Sequence, residues 1–306
     1  MNGNMQINSK TGILGLLGNP SRHSLSPYIQ NSFLYHYKIN CIYVTFEPAV
    51  ESIKEVFESA KKLKFTGLNI TMPFKEEVFK LVDRAEEAAK TIKAVNTVKF
   101  DYIDKGENKT LSTGFSTDGD GVIKSIEDKG FSWQKKTCFI IGAGGAAKSA
   151  VLSLSQKPVK TIYIYDIIPG KAEKLAGLIP SGTVKSPPEI IVCTKLTEIE
   201  KIYEAIDLII NCSPAGMRIE NSRKNEKIIP VPASWNLRGK YVFDMVYSPA
   251  DTFFLRKARS DGAAVIIPGT DLLVNQAAFS FKIWFGIMPE NKIISEVKKN
   301  ISVFLP

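Results

Sequence analysis

The stretch that most narrows what this chain can fold into is Cys138-Phe139-Ile140-Ile141-Gly142-Ala143-Gly144-Gly145-Ala146-Ala147. A short apolar run enters a glycine-rich turn, and a helical pattern, Lys148 to Leu154, leaves it. The turn satisfies G-x-G-x-x-G/A with Ala147 in the third place. Gly142 permits the tight turn, Gly144 lets the backbone approach a pyrophosphate, and Ala147 is small enough for the helix to pack close to the strand. Free N–H groups at the start of that helix then suit phosphate oxygens. Gly142, Ala143, Gly144, Gly145 and Ala146 are therefore candidate dinucleotide-binding residues. Asp166 closes the next apolar run, 24 residues after Gly142. A carboxylate there accepts a hydrogen bond from a ribose 2′-hydroxyl and repels a 2′-phosphate, and no arginine follows it in Ile167-Ile168-Pro169-Gly170. The residues favour NAD over NADP; Lys171 is the nearest cation, and a purely structural capping role is the alternative for Asp166.

Such a loop needs a parallel sheet around it, and the hydrophobic periodicity supplies the strands. After the boundary, strands are expected over Thr137–Ile141, Thr161–Tyr165, Ile190–Cys193, Asp207–Asn211, Tyr241–Met245 and Ala264–Ile267, with a loop over Glu220–Trp235. The first third also alternates. Strands are expected over Gly12–Gly18, Cys41–Phe46 and Gly67–Thr71, and helices over Pro27–Tyr37, around Ile53–Leu63, and over Lys75–Val82. Alternation of this kind predicts parallel α/β sheets. The pattern breaks over 95–117: Ala94–Phe100 reads as a strand, Lys105–Lys109 as a polar turn, and Thr110–Ser116 as a return. An apolar helix over Leu272–Phe285 is expected to pack back onto the first part. The chain thus reads as an N-terminal α/β domain, 1–117, completed by 270–306, and a doubly wound Rossmann-type domain, 118–269. No fixed-period repeat and no low-complexity tract interrupts this.

Composition excludes several classes of function. The 306 residues are 44% hydrophobic and 23% charged, with a net charge of +9. That charge is not a nucleic-acid stripe, because lysines alternate with glutamates at helical spacing, as in Glu51-Lys54-Glu55-Glu58-Lys61. A mild basic field suits anionic small molecules instead. No run approaches the ~20 apolar residues of a membrane span, and Met1–Thr11 lacks the apolar core of a secretory signal. The four scattered cysteines, Cys41, Cys138, Cys193 and Cys212, form no C-x-x-C pair, and with two histidines no metal site is expected. Reduced, buried thiols fit a cytoplasmic protein.

Polar residues in the first third carry a second signal. In Gly18-Asn19-Pro20-Ser21-Arg22-His23-Ser24-Leu25-Ser26-Pro27, Ser26-Pro27 reads as N-cap and first turn of a helix, and Ser24 with Ser26 makes a site for a carboxylate. In Asn69-Ile70-Thr71-Met72-Pro73-Phe74-Lys75-Glu76-Glu77, Asn69 and Thr71 share one face of a strand end. Lys75 falls in the first turn of a helix, where a cation opposes the dipole while Glu76 and Glu77 suit it. Asn96, within the apolar Ala94–Val98, needs a hydrogen-bond partner, either internal or a ligand hydroxyl. Asp118 lies at a turn beside the expected domain boundary.

In order along the chain, GNPSRHSLSP (18–27), NITMPFKE (69–76), AVNT (94–97), STDG (116–119), GAGGAA (142–147), NCSPAGM (211–217), DMVYSP (244–249) and Gln276 in LLVNQAA resemble the shikimate dehydrogenase family. The resemblance implies two domains facing a cleft and the reversible reduction of 3-dehydroshikimate to shikimate, a step towards chorismate and the aromatic amino acids. It implies that Ser24 and Ser26 hold the substrate carboxylate, that Thr71, Asn96, Asp118 and Gln276 hold ring hydroxyls, and that Tyr247 approaches the substrate. Lys75 and Asp118 are the implied catalytic pair. Met217 and Gly269 are implied at the cofactor. NADP is the usual cofactor of the family, so NAD(P) is expected, with NAD favoured by Asp166.

Three departures stand out. Phe115-Ser116 replace the usual Asp-Asn before Thr-Asp-Gly. Asp166-Ile167-Ile168 replace the Asn-Arg-Thr or Asn-Arg-Ser of NADP enzymes, as in the NAD-using quinate/shikimate branch. Asp271 stands where glycine is common. Two alternatives remain at this level: an enzyme that also uses quinate or another analogue, and a dinucleotide-sensing Rossmann protein without turnover. The expected partner is a small molecule, and the expected assembly a monomer or homodimer.

Overall fold

The computed structural model of the chain describes residues 7–103, 109–179, 187–218 and 224–304. Contact density divides the chain into two compact units, one formed by residues 1–117 with 276–301, the other by residues 118–275 with 302–306.

The first unit runs β1 (Gly12–Leu17), α1 (Ser26–His36), β2 (Cys41–Phe46), α2 (Ile53–Lys62), β3 (Gly67–Ile70), α3 (Lys75–Leu81), β4 (Arg84–Ala85), α4 (Glu87–Ile92), β5 (Thr97–Ile103) and β6 (Lys109–Phe115). Its sheet has the order β2-β1-β3-β5-β6-β4. β1 pairs in parallel with β2 and β3, but β5 is antiparallel to β3 and β6 to β5. β4 pairs in parallel with β6. The sheet is therefore mixed, but β5 alone runs against the other five strands, so the expectation of a parallel sheet fails at β5 only. Residues 104–108 are all that separate β5 from β6, too few for the crossover that parallel neighbours require. The polar turn read over Lys105–Lys109 lies outside the described residues except for Lys109, which already belongs to β6. The strand read over Ala94–Phe100 starts three residues later, at Thr97, because α4 occupies the chain up to Ile92 and Lys93 adopts a left-handed conformation, φ 54°. With six residues, α4 is too short to show a helical period.

Phe57, Leu68, Phe74, Val78, Val95 and Val98 form one apolar core of this unit. On the other side of the sheet, Phe33 of α1 meets Phe281 edge-on, with ring centroids 5.6 Å apart.

The second unit runs α5 (Asp118–Glu127), β7 (Thr137–Ile141), α6 (Gly145–Leu154), β8 (Thr161–Tyr165), α7 (Lys171–Ala176), β9 (Glu189–Cys193), α8 (Leu196–Glu200), β10 (Leu208–Asn211), β11 (Tyr241–Asp244), α9 (Phe253–Asp261) and β12 (Val265–Ile267). The boundary with the first unit falls within α10 (Gly269–Phe285), and α11 (Asn291–Ile301) belongs to the first unit. All pairings of the second sheet are parallel, in the order β12-β11-β10-β7-β8-β9. This is the doubly wound order, in which the chain moves outward from β7 first on one side and then on the other. Alternate residues of β7 serve opposite cores: Cys138 and Ile140 face one cluster, Phe139 and Ile141 the other. That period of two, with both faces buried, explains why the strand reads as continuously apolar. Of the loop read over Glu220–Trp235, residues 220–223 lie outside the described residues; the remainder contains a short 3-10 turn at Asn225–Lys227 and a buried Trp235.

Candidate active site

The glycine-rich turn joins β7 to α6 as its residue types require. Gly142 has φ 97°, and a side chain there would run into the backbone of Cys212 and Ser213. Its N–H donates to the Tyr165 carbonyl at 2.7 Å. Gly144 and Gly145 stand in open space, so the backbone at the start of the ten-residue α6 is approachable. Ala147 is fully buried between helix and strand. Asp166 does more than end β8. Its Oδ2 accepts from the Ala143 N–H at 2.7 Å and its Oδ1 from the Ile168 N–H at 2.7 Å. The carboxylate thus ties the glycine-rich turn to the loop after β8, a role the sequence reading did not include. It does not cap α7, whose N-cap is Gly170.

Because the strands are parallel, the loops after β7, β8, β10, β11 and β12 leave the same edge of the sheet, where doubly wound folds bind ligands. Met217 follows β10; its carbonyl accepts from Asn225 Nδ2 at 2.7 Å, and the next N–H, of Arg218, donates to the Ser248 carbonyl at 2.7 Å. The loops carrying Met217 and Tyr247 are thereby joined, and the Tyr247 side chain is exposed. Gly269 opens α10 against the Val246 carbonyl, with no room for a side chain. An open backbone at a helix start, a carboxylate one strand over and a ring of loops on one edge fit a dinucleotide.

The first unit gathers the other candidates. Ser24 Oγ donates to Ser26 Oγ at 3.1 Å and accepts from the Ser26 N–H at 3.2 Å. Ser26 is the first residue of α1 and not its N-cap: Leu25 holds that place, with no side-chain cap. The cap read from Ser26-Pro27 is thus corrected, since the Ser26 side chain is turned to other partners. It hydrogen-bonds the Tyr43 phenol, whose pKa burial drives up, so the phenol stays protonated. Tyr43 Oη in turn donates to Asn69 Oδ1 at 2.8 Å.

From Asn69 the network spreads. Its Nδ2 donates to the Asn96 carbonyl at 3.0 Å, Thr97 Oγ1 at 3.0 Å and Ser280 Oγ at 3.1 Å. Asn96 Oδ1 accepts from the Thr117 N–H at 2.9 Å, and its Nδ2 donates to Thr117 Oγ1 at 2.9 Å. Thr117 Oγ1 reaches Gln276 Oε1 at 3.5 Å. Asn96 therefore has the internal partners its burial demands, and lies just before β5, not within it. Thr71 follows β3; its N–H donates to Leu17 O at 2.9 Å, and its methyl packs on Gly18.

Lys75 opens α3, half-buried, with Glu76 and Glu77 exposed in the same turn. Its carbonyl accepts from the Val95 N–H at 3.0 Å, which anchors the start of α3 beside Asn96. Asp118 is the first residue of α5, in the second unit. Asp271 is buried and paired with Lys129, 3.1 Å away. Lys129 thus gives the departure at that position a structural partner.

The residues that sequence reasoning missed are Tyr43, Thr97, Thr117 and Ser280 as links in the network. The one signal available was polarity inside apolar runs, as at Asn69.

A family profile described as the shikimate dehydrogenase substrate binding domain matches residues 16–98, and one described as the shikimate 5'-dehydrogenase C-terminal domain matches residues 269–296. A shikimate dehydrogenase (NADP(+)) of Alkaliphilus oremlandii is 36% identical over 299 residues, covering 96% of this chain and 98% of that protein. The chain belongs to the shikimate dehydrogenase family. Two solved structures of similar proteins share its fold. Shikimate 5-dehydrogenase from Listeria monocytogenes, in complex with shikimate and NAD, has a TM-score of 0.83 at 27% identity, covering 97% of this chain and 98% of that one. Quinate dehydrogenase from Corynebacterium glutamicum, in complex with NAD, has a TM-score of 0.80 at 25% identity, covering 95% and 98%. Among the described residues no helix is long and apolar enough to cross a membrane, and no group of three or more His, Cys, Asp or Glu could hold a metal ion.

Proposed function

We propose that this chain is a shikimate dehydrogenase, catalysing the reversible reduction of 3-dehydroshikimate to shikimate with a nicotinamide dinucleotide, in aromatic amino acid biosynthesis. The observation that carries this reading is full-length likeness to shikimate dehydrogenases in a chain that has Lys75 and Asp118 within the family's motifs.

Roles for the side chains follow from their chemistry. Ser24 and Ser26, two adjacent hydroxyls at the start of α1, hold the substrate carboxylate. Thr71, Asn96 and Gln276 take the ring hydroxyls, and Tyr247 approaches the substrate from its loop. In the direction of oxidation, Lys75 receives the proton of the C3 hydroxyl, so it must be deprotonated when the substrate arrives. Asp118 orients that hydroxyl and the lysine. The dinucleotide accepts the hydride. Gly142, Ala143, Gly144, Gly145 and Ala146 hold its phosphates, Asp166 its adenosine ribose, and Met217 and Gly269 its nicotinamide end.

Asp166, without an arginine nearby, favours NAD. It also supports a second substrate, quinate, because the similar Corynebacterium glutamicum structure is a quinate dehydrogenase with NAD. We place the enzyme in the cytoplasm, as a monomer or homodimer; four buried free thiols suit a reducing compartment. The decisive assay is steady-state turnover of shikimate and of quinate with each cofactor. Shikimate oxidation with kcat/KM higher for NAD than for NADP is expected. The reverse order overturns the role of Asp166 alone, and absence of shikimate turnover overturns the function.

A further inference from the structure

We propose that Glu47 is the positioning residue that holds the Ser24–Ser26 loop in its carboxylate-binding shape. The inference rests on the shikimate reading for the ligand, but the restraint itself is visible within the first unit.

The loop from Gly18 to Leu25 has no regular structure of its own, and Asn19, Pro20, Arg22 and His23 in it are exposed. What restrains it is the residue just past β2. Glu47 Oε1 accepts from two successive backbone N–H groups, those of Ser21 and Arg22, the latter at 2.7 Å, while Oε2 accepts from Arg22 Nε at 2.9 Å. The Ser21 N–H foremost, with Arg22 behind it, holds the Glu47 carboxyl below the usual carboxylate range. The Ser21 carbonyl, turned the other way, accepts from the Ser24 N–H at 3.0 Å, which fixes where the Ser24 hydroxyl begins. The hydrogen bond between Ser24 and Ser26 follows from that placement.

Asn19 completes the tether. Its N–H donates to the Met72 carbonyl at 3.0 Å and its Nδ2 to the Pro48 carbonyl at 3.0 Å. The serine loop, the turn after β2 and the turn that leads to Lys75 are thus laced together. Of the acceptors in these ties only Glu47 is ionised, and hydrogen bonds to an ionised acceptor are the stronger kind.

The two partners of Glu47 have unequal weight. The Arg22 side chain is 84% exposed, against 21% for Glu47. An ion pair so open contributes little, whereas the N–H of buried Ser21 needs an acceptor. The backbone of the loop, and not the charge of Arg22, is therefore what Glu47 acts upon. A loop that must order on binding lowers apparent affinity by the fraction of time it is ordered. It does not change the chemical step once substrate is held.

The test compares Glu47→Ala, Glu47→Gln and Arg22→Ala in the full-length enzyme. Glu47→Ala is expected to raise KM for shikimate about tenfold, with kcat and the cofactor KM within about twofold of the parent, as for a loss of uniform binding. Glu47→Gln, which keeps one carbonyl acceptor for both amides, is expected to recover part of that loss. Arg22→Ala is expected to stay within about threefold, as for an exposed pair. Amide hydrogen exchange over 18–26, measured without substrate, should accelerate in Glu47→Ala and not in Arg22→Ala. Unchanged exchange in Glu47→Ala, or a drop in kcat with KM unaltered, overturns the proposal. If the parent does not oxidise shikimate, the functional reading fails, and hydrogen exchange still decides whether Glu47 holds the loop.

Discussion

Lys75 sits at the positive end of a short helix whose next two residues are acids. Nothing in helix formation asks for a cation there. Its carbonyl is tied to the Val95 N–H, so the backbone beneath it is held while the side chain stays half-buried. Replacement by alanine should leave the fold intact and lower kcat at least ~100-fold, the low end for an acid–base group. A Lys75→Ala enzyme with near-parental turnover would reject the role. Asp244 is a different titratable group, to which no proton transfer is assigned. Burial raises its pKa to about 6, against hydrogen bonds from Thr252, the Val246 N–H and Asn211 that favour the carboxylate. A carboxyl raised in the folded state contributes stability that is complete below its unfolded value, near 3.8, and is lost as pH rises through about 6. The loss amounts to on the order of 2–3 kcal/mol. Urea denaturation of the parent and of Asp244→Asn between pH 4 and pH 8 measures it. The parent should lose stability relative to the variant across that range, and a constant difference would show that Asp244 ionises freely.

Among the elements, α10 and β3 depend on each other through one glycine. Trp284 Nε1 donates to the Val98 carbonyl at 2.9 Å, and the indole lies over Gly67, where a methyl group would overlap both the ring and that carbonyl. Gly67→Ala should therefore lower stability by about 1–3 kcal/mol, the usual range for overpacking. A urea midpoint unchanged from the parent would mean that the indole moves aside at no cost. Most strands were legible because their evidence is local. β2 and β7 run where their apolar patterns place them, since side-chain alternation is set by the strand itself. The short helix α4 and the antiparallel turn of the first sheet were not, because six residues show no period and strand direction depends on the connection and not on composition.

For the molecule as a whole, the last part of the chain is structurally part of the first. Residues 276–301 belong to the same compact unit as residues 1–117. They bring Phe281, Trp284, Ile293, Ile294 and Val297 into its buried interior, and Gln30 Nε2 donates to the Ala277 carbonyl at 3.0 Å. A chain ending at Asn275 should lose the fold of this unit, because the apolar face of its sheet would stand in water. Hydrogen exchange should then show β1 and β3 unprotected, while β7, β8 and β10 keep their protection. Protection of β1 and β3 in the truncated chain would disprove the dependence.

What the amino-acid order determined alone was whatever depends on near neighbours: the strand–glycine–helix turn at Gly142, the serine pair, a lysine set against its helix. What the tertiary structure decided was where distant polar groups find partners. Asn96 reads as a buried amide in need of a bond, yet that the bond runs to Thr117, and onward to Asn69, Tyr43 and Ser26, follows from strands brought side by side. Asp166 likewise reads as a ribose acceptor, while its hold on Ala143 appears only once β7 and β8 are paired. Periodicity encodes which face a residue presents; hydrogen bonds between residues far apart in sequence exist only after the chain has returned upon itself.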